Sequence, residues 1–455
     1  MFCIKLLNIQ YLYEKKGGTM NIILLSGGSG KKLWPLSNDV RSKQFIKLFK
    51  NADGKNESMI QRIFRQITNV DKDAVITVAT SKSQASTVIN QLGNSIGISV
   101  EPDRRNTFPA VALAVEYLKD VKGVAEDEPI VVCPVDLFVE DSFFLDLERL
   151  GQEVKNHSGI ILFGSKPTEA RTQYGYIIPE NDSKISKVKS FIEKPDLTKA
   201  EELIKNGALW NAGIFAFEMK YFLNLVKTMI TYDGYDDLFN NYSEAEAISF
   251  DHAVVEKCSN MHVMKTGSVL NDLGTWESLT KAMEENVIGN ALLSDTCNNV
   301  NIINDMDIPI LAVGLEDIVI SASQQGVLVS HKNEMIDITP YVDRIDQQVM
   351  FADKSWGSLK VLDASDKSMT IRLNITAGKR MSYHSHEYRD EMWTILSGTG
   401  KTIVDGMEQP VKAGDVITME AGCRHTIIAD TNLEVIEIQR GSEISTSDKK
   451  KFELE

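Results

Sequence analysis

Residues 24–37 read LLSGGSGKKLWPLS: the end of an apolar strand, a turn of closely spaced glycines, two lysines, then a segment broken by proline. Glycine backbone can approach an anion because no Cβ stands in the way, and lysines balance negative charge, so the pattern is that of a loop able to cradle phosphate. It is not a P-loop, because the GxxxxGKS/T spacing is absent. Nor is it a dinucleotide fingerprint, since Leu33 stands where a third glycine is required. A glycine turn between strand and helix can also be purely structural, so its surroundings decide.

Outward from this loop the chain alternates short apolar runs with stretches of helical period. Asn21–Ser26 (NIILLS), 74–79 (AVITVA), Pro129–Pro134 (PIVVCP) and 159–164 (GIILFG) read as strands, and 109–119 as an amphipathic helix. Such alternation predicts an α/β domain with a mostly parallel sheet covered by helices on both faces, its ligand outside the carboxyl ends of the strands. The helical period fades beyond Gly289, where apolar runs are separated by short polar turns. From Met350 the turns at 377–378, 397–400, 405–406 and 413–414 predict an all-β barrel. The expected division is 20–288, a β-rich connector at 289–349, and a barrel at 350–455.

With 455 residues, 43% hydrophobic and 25% charged, the chain has the composition of a multidomain globular protein. A formal net charge of -15 opposes nonspecific affinity for nucleic acid or an anionic membrane, so neither is an expected partner. The five cysteines, Cys3, Cys133, Cys258, Cys297 and Cys423, are scattered without CxxC spacing and read as reduced thiols of a cytoplasmic protein. Residues 1–19 precede the first convincing strand and contain Gly17-Gly18, which a translated ribosome-binding sequence would encode; they are expected to be a non-native extension.

Seven further motifs follow the glycine loop in order: Lys43 in SKQF, EPDRRNTFP at 101–109, CPVD at 133–136, Tyr174-Gly175-Tyr176, FIEKP at 191–195, LWNAGIF at 209–215 and NDLGTW at 271–276. The set resembles the sugar-1-phosphate nucleotidyltransferases, most closely mannose-1-phosphate guanylyltransferase, over about 21–281. That resemblance implies a Rossmann-like, GT-A-like mixed sheet, a homodimer, and GTP and mannose 1-phosphate as substrates. In this chemistry a sugar phosphate attacks the α-phosphorus of a nucleoside triphosphate and pyrophosphate leaves, so positioning and charge neutralisation carry the catalysis. Asp136 and Asp272 are then implied to hold Mg²⁺, which prefers carboxylate oxygens. Leu25, Gly27, Gly28, Lys32, Lys43 and Arg105 are implied nucleotide contacts, and Gly175, Glu193, Lys194 and Asn211 sugar-phosphate contacts, with Lys194 on the phosphate. The sequence departs from the family at Lys31-Lys32, where Thr-Arg is usual, so Lys32 keeps the charge but not the planar fork of arginine. Val135 and Leu137 flank Asp136 where Ala and His are more common.

A second cluster lies near the C-terminus. Gly378, His384, His386, Glu391 and Gly398, then Gly414, Gly422 and His425, resemble the two motifs of a cupin barrel, with Glu420 and Ala429 departing from the usual proline and asparagine. Residues two apart on a strand share a face, so His384 and His386 can both point inward, with Glu391 and His425 closing the set from adjoining strands. Three imidazoles and a carboxylate suit Zn, Fe, Mn or Ni. A guanylyltransferase followed by a cupin resembles the bifunctional enzymes that also interconvert mannose 6-phosphate and fructose 6-phosphate. Their first motif, QxHHHRxExW, reads HSHEYRDEMW at 384–393, which keeps Arg389, Glu391 and Trp393 and implies Arg389 as the group that polarises a substrate.

Overall fold

A computed structural model describes residues 19–28, 30–38, 41–268, 271–332, 334, 337–345, 350–445 and 448–454, with the backbone alone of Asn271 and Asp272. The expected N-terminal extension therefore lies outside the described residues except for Thr19. The chain forms two compact units. One holds the described residues up to Gly28 with Lys47–Ala85 and Leu92–Gly274; the other holds Ser29–Ile46, Ser86–Gln91 and Thr275–Glu455. No helix among the described residues is long and apolar enough to cross a membrane.

The first unit contains β1 (Asn21–Ser26), β2 (Lys47–Lys50), β3 (Asn56–Ser58), β4 (Val75–Ser81), β5 (Gly97–Glu101), β6 (Pro129–Pro134), β7 (Leu137–Phe138), β8 (Ile160–Ser165), β9 (Tyr176–Pro179), β10 (Ile185–Ile192), β11 (Leu209–Glu218), β12 (Met261–Thr266) and β13 (Asn271–Asp272). Nine of these form one sheet in the order β5-β4-β1-β6-β11-β8-β12-β10-β9. The β5-β4-β1-β6 half is parallel throughout, as the alternation predicts. The other half corrects the mostly parallel reading: β11 runs antiparallel to both β6 and β8, and β10 antiparallel to β9 and β12. A strand buried on both faces is apolar throughout whichever way it runs, so composition does not disclose direction.

Ile22, Ile23 and Leu24 of β1 are fully buried, as are Val111, Leu113, Val115 and Leu118 of the helix Thr107–Asp120. Burial of each such side chain is worth about 1.5–3 kcal/mol. Phe222 stacks on Phe217 and Phe250 in the same core, fixing the chain that follows β11.

In the second unit β14 (Val287–Gly289), β16 (Asn301–Asn304) and β18 (Ile318–Ser323) are successive parallel rungs, while β15 (Ala291–Leu293) pairs in parallel with β17 (Ile310–Ala312). β19 (Gly326–His331) closes antiparallel on β18. Short turns joining parallel strands make a coil of strands, not a row of hairpins. Pro35 and Arg41 contact this coil: Ser323 Oγ donates to the Pro35 carbonyl at 2.7 Å, and Arg41 pairs with Asp305.

The barrel follows, with β20 (Phe351–Lys354), β21 (Gly357–Ala364), β22 (Ser368–Ile375), β23 (His384–Ser385), β24 (Arg389–Ser397), β25 (Thr399–Val404), β26 (Met407–Lys412), β27 (Val416–Met419), β28 (His425–Ala429), β29 (Leu433–Gly441) and β30 (Lys450–Lys451). They form a six-stranded sheet, β20-β21-β22-β29-β24-β27, and a five-stranded one, β26-β25-β28-β23-β30. Strand alternation sends Arg389, Glu391, Trp393 and Ile395 of β24 inward, and likewise Leu433, Val435, Glu437 and Gln439 of β29.

Candidate functional site

At the carboxyl end of β1, Gly27 and Gly28 are exposed, and a Cβ built on either would meet no atom within 4 Å. Gly28 has φ +130°, which side chains other than glycine rarely adopt, so the sequence is committed to this open turn. The neighbouring Val135 amide donates to the Leu25 carbonyl at 3.1 Å. That bond anchors the turn after β6, on which Asp136 lies half-buried. Burial and the Asp136 charge push the Cys133 thiol far above its ordinary range, so this cysteine is an inert core residue. β7 and β13 pair antiparallel with Asp272 opposite Leu137, so the backbones of Asp136 and Asp272 are brought together from positions more than a hundred residues apart. Arg105 sits in the loop after β5, at the same sheet edge, its Nε donating to Asp103 at 3.1 Å.

The sugar-phosphate candidates also converge. The Asn211 amide donates to the Gly175 carbonyl at 2.8 Å, and Lys194 Nζ lies 2.9 Å from Glu193 Oε1. A Cβ on Gly175 would come within 2.6 Å of Glu193 Oε2 and 2.7 Å of the Phe191 ring, so glycine is what lets Glu193 enter. Lys194 has φ +44°, an unfavourable conformation for lysine. Its ammonium is well exposed, whereas Glu193 is largely buried. Sequence reading missed Asp251, whose Oδ1 accepts from Asn211 Nδ2 at 2.8 Å. Burial, then the Glu193 charge, raises the Asp251 carboxyl above its ordinary range, against the opposing Asn211 hydrogen bond. Asp251 opens a π-helical turn, Asp251–Val255, a feature frequent at functional sites but without a signature in one sequence.

Lys32 and Lys43 belong to the second unit. Lys31 and Lys32 lie on the short 3-10 turn Lys31–Leu33, and Lys43 opens another at Lys43–Phe45. Lys31 Nζ pairs with Asp343 at 2.7 Å. The Asp337 carboxyl is held below its ordinary range by the Thr339 hydroxyl and amide, with a smaller contribution from the Lys32 charge.

In the barrel His384, His386, Glu391 and His425 are all buried, and one ligand atom from each lies within 4.8 Å of every other. His384 and His425 are directly paired across β23 and β28. Each histidine turns Nδ1 toward a backbone carbonyl: Ser382 at 2.6 Å for His384, Cys423 at 3.0 Å for His425, and Asp448 for His386. For His384 and His386, donation at Nδ1 leaves Nε2 with its lone pair, the tautomer a metal requires, while His425 Nε2 lies 3.1 Å from Glu391 Oε2. Burial, reinforced by the Lys449 and His425 charges, brings the His384 pKa down to about 2, and burial likewise lowers His386, so both imidazoles are neutral. Burial alone would raise Glu391; the His425 hydrogen bond, His386 and Arg389 outweigh it and hold the carboxyl below the usual range. The neutral imidazoles of His384 and His386, with His425 and an ionised Glu391, converge with ligand atoms within 4.8 Å of one another, a set that fits a divalent transition metal.

Arg389, which the resemblance implies as the group that polarises a substrate, is buried beside this set. Its Nε donates to Glu391 at 3.0 Å, one terminal nitrogen to the Ser445 carbonyl at 2.8 Å and the other to His386 Nε2 at 3.1 Å. Two of these three contacts go to residues of the four-ligand cluster, Glu391 and His386. Gln439 Nε2 bridges Glu391, at 3.3 Å, and Glu437, at 2.6 Å; Glu437 also accepts from Trp393 Nε1 at 2.9 Å. Burial, with the Glu391 charge, pushes Glu437 up to about 7. Glu437 and Gln439 share the inward face of LEVIEIQRG with Leu433 and Val435, but Glu434 and Arg440 make the other face polar too, so the sequence did not single them out.

A sequence model of the family described as Nucleotidyl transferase matches residues 21–287, more than half of the chain, and one described as Cupin domain matches 372–438. A putative mannose-1-phosphate guanylyltransferase of Vibrio cholerae serotype O1 is 28% identical, covering 95% of this chain and 99% of its own. The alginate biosynthesis protein AlgA of Pseudomonas aeruginosa is 28% identical, covering 95% of this chain and 96% of its own. Among solved structures, one titled mannose-1-phosphate geranyltransferase, from Thermus thermophilus, matches with a TM-score of 0.58 at 24% identity, over 71% of this chain and 97% of that one.

Proposed function

The chain belongs to the nucleotidyl transferase family, and from that membership we propose that it transfers GMP from GTP to mannose 1-phosphate, giving GDP-mannose and pyrophosphate. In this reading 20–288 performs the transfer, 289–349 connects and 350–455 is the cupin. The observation that carries it is the convergence of Gly175, Glu193, Lys194 and Asn211 on one cluster, with an exposed ammonium beside groups suited to sugar hydroxyls. The Vibrio cholerae relative supports the choice of guanine and mannose by its name. Lys194 binds the sugar phosphate, one of whose oxygens attacks the α-phosphorus in line as the bond to the leaving pyrophosphate breaks. Asp136 and Asp272 are the carboxylates that would hold Mg²⁺, which when bound supplies charge neutralisation on the phosphates.

The test is pyrophosphate release from the purified chain with Mg²⁺, each of four nucleoside triphosphates and a panel of hexose 1-phosphates. GTP with mannose 1-phosphate is the expected preferred pair, and Asp136→Asn or Asp272→Asn should cost about a hundredfold or more. Preference for another base or sugar would replace the specificity, and near-normal turnover in either variant would remove that residue from the metal assignment.

The four-ligand cluster favours a second reading, that the metal-loaded cupin interconverts mannose 6-phosphate and fructose 6-phosphate. His386→Ala should then abolish isomerisation while leaving transfer intact. Full transfer without isomerisation in the unaltered, metal-loaded chain would instead make the cupin structural or regulatory.

A further inference from the structure

We propose that the C-terminal segment from Asp448 to Phe452 is a positioning strap that completes the cupin metal centre, with Asp448 as its key residue. Its sequence, DKKKF, reads as a solvated basic tail. In the fold Asp448 is buried, although it lies 61 residues beyond Glu387 in sequence, and it clamps the segment between the second histidine and β24 at three consecutive residues. Its backbone carbonyl accepts His386 Nδ1–H. One carboxylate oxygen accepts the Glu387 amide at 2.7 Å and the other the Tyr388 amide at 3.1 Å. A fourth contact is electrostatic, Arg389 lying 3.8 Å from Asp448 Oδ2.

The rest of the strap keeps Asp448 in place. Lys450 and Lys451 pair with Ser385 and His384 as β30 against β23, so the strand that carries the first histidine is bordered by β28 on one side and the strap on the other. Beyond it the Phe452 amide donates to the Tyr383 carbonyl at 2.9 Å, and the Arg424 guanidinium lies 4.1 Å from the Phe452 ring centroid. Asp448 thus decides which nitrogen of His386 holds its proton and where the loop leading to Arg389 and Glu391 runs. Partners of this kind orient metal ligands, and their loss typically costs about 10- to 100-fold in metal affinity.

This inference rests on the reading of the four-ligand cluster as a metal centre. The test uses the full chain, stripped with a chelator and titrated with Co²⁺, whose visible absorption bands report ligand number and geometry. Asp448→Ala should weaken Co²⁺ by about 10- to 100-fold and alter the bands. Asp448→Asn, which keeps one acceptor oxygen, should fall between it and the unaltered chain, while guanylyl transfer stays within about twofold in both, the strap lying outside the transferase residues. If Asp448→Ala fails to fold, Asp448→Asn and Phe452→Ala are read instead, and both must weaken binding. Affinity and bands matching the unaltered chain in the variants that fold overturn the strap alone. An unaltered chain that takes up no Co²⁺ overturns the metal centre, and the strap with it.

Discussion

Asn211 and Asp251 meet through a 2.8 Å hydrogen bond across 40 residues of sequence, the amide nitrogen donating to the carboxylate. The Gly213 amide donates to the other end of the Asn211 side chain at 3.2 Å, so the orientation of Asn211 is set from both sides. Asp251→Ala should free the amide to rotate and raise the KM for the sugar phosphate by about tenfold, with kcat changed less than about threefold. Steady-state kinetics decide it. An unchanged KM would mean that Asn211 does not face the substrate.

The left-handed backbone of Lys194 predicts a separation of stability from activity. Lys194→Gly relieves about 1 kcal/mol of backbone strain but adds a comparable entropy to the unfolded chain, so the melting temperature should barely move. Transfer should fall by about a hundredfold, because the phosphate loses its ammonium partner. Near-normal kcat/KM in this variant would remove Lys194 from the site.

Lys32 stands where the family usually has arginine. Replacement of Lys32 by Arg should leave kcat similar and lower the KM for the triphosphate, since a planar fork matches phosphate oxygens better than an ammonium. A large rise in KM would show that the loop has been refitted around lysine.

Glu437 sets a pH dependence whose sign is fixed by its raised pKa. Its folded value of about 7 lies above the ordinary 4.5, so between those values the folded chain holds a proton that the unfolded chain has lost. The stabilisation is fully present below 4.5 and is lost as pH rises through 7, by about 1.4 kcal/mol per pH unit in mid-window. His384 and His386 are depressed instead, so their contribution is lost as pH falls below 6.5 and is constant above it. Metal-free protein should therefore melt at a lower temperature at about pH 8 than at about pH 6.5, and Glu437→Gln should flatten that slope. Equal slopes for the two proteins would show that Glu437 ionises normally.

What the sequence by itself determined is local. Glycine spacing marked the open turn at Gly27-Gly28, period-two and period-3.6 patterns separated the α/β part from the β-rich part, and HxH with Glu391 and His425 picked out the ligand set, because each depends on residues close in the chain or on one strand. Tertiary structure decided the rest. The antiparallel course of β11, the pairing that sets Asp272 beside Asp136, the Asp251 partner of Asn211, the contact of Arg389 with Glu391 and the Asp448 strap all join residues through sheet register and burial. A linear pattern carries the face a side chain presents but not the neighbour it will find there, since strand order and direction are set by which faces of the whole chain can be buried together.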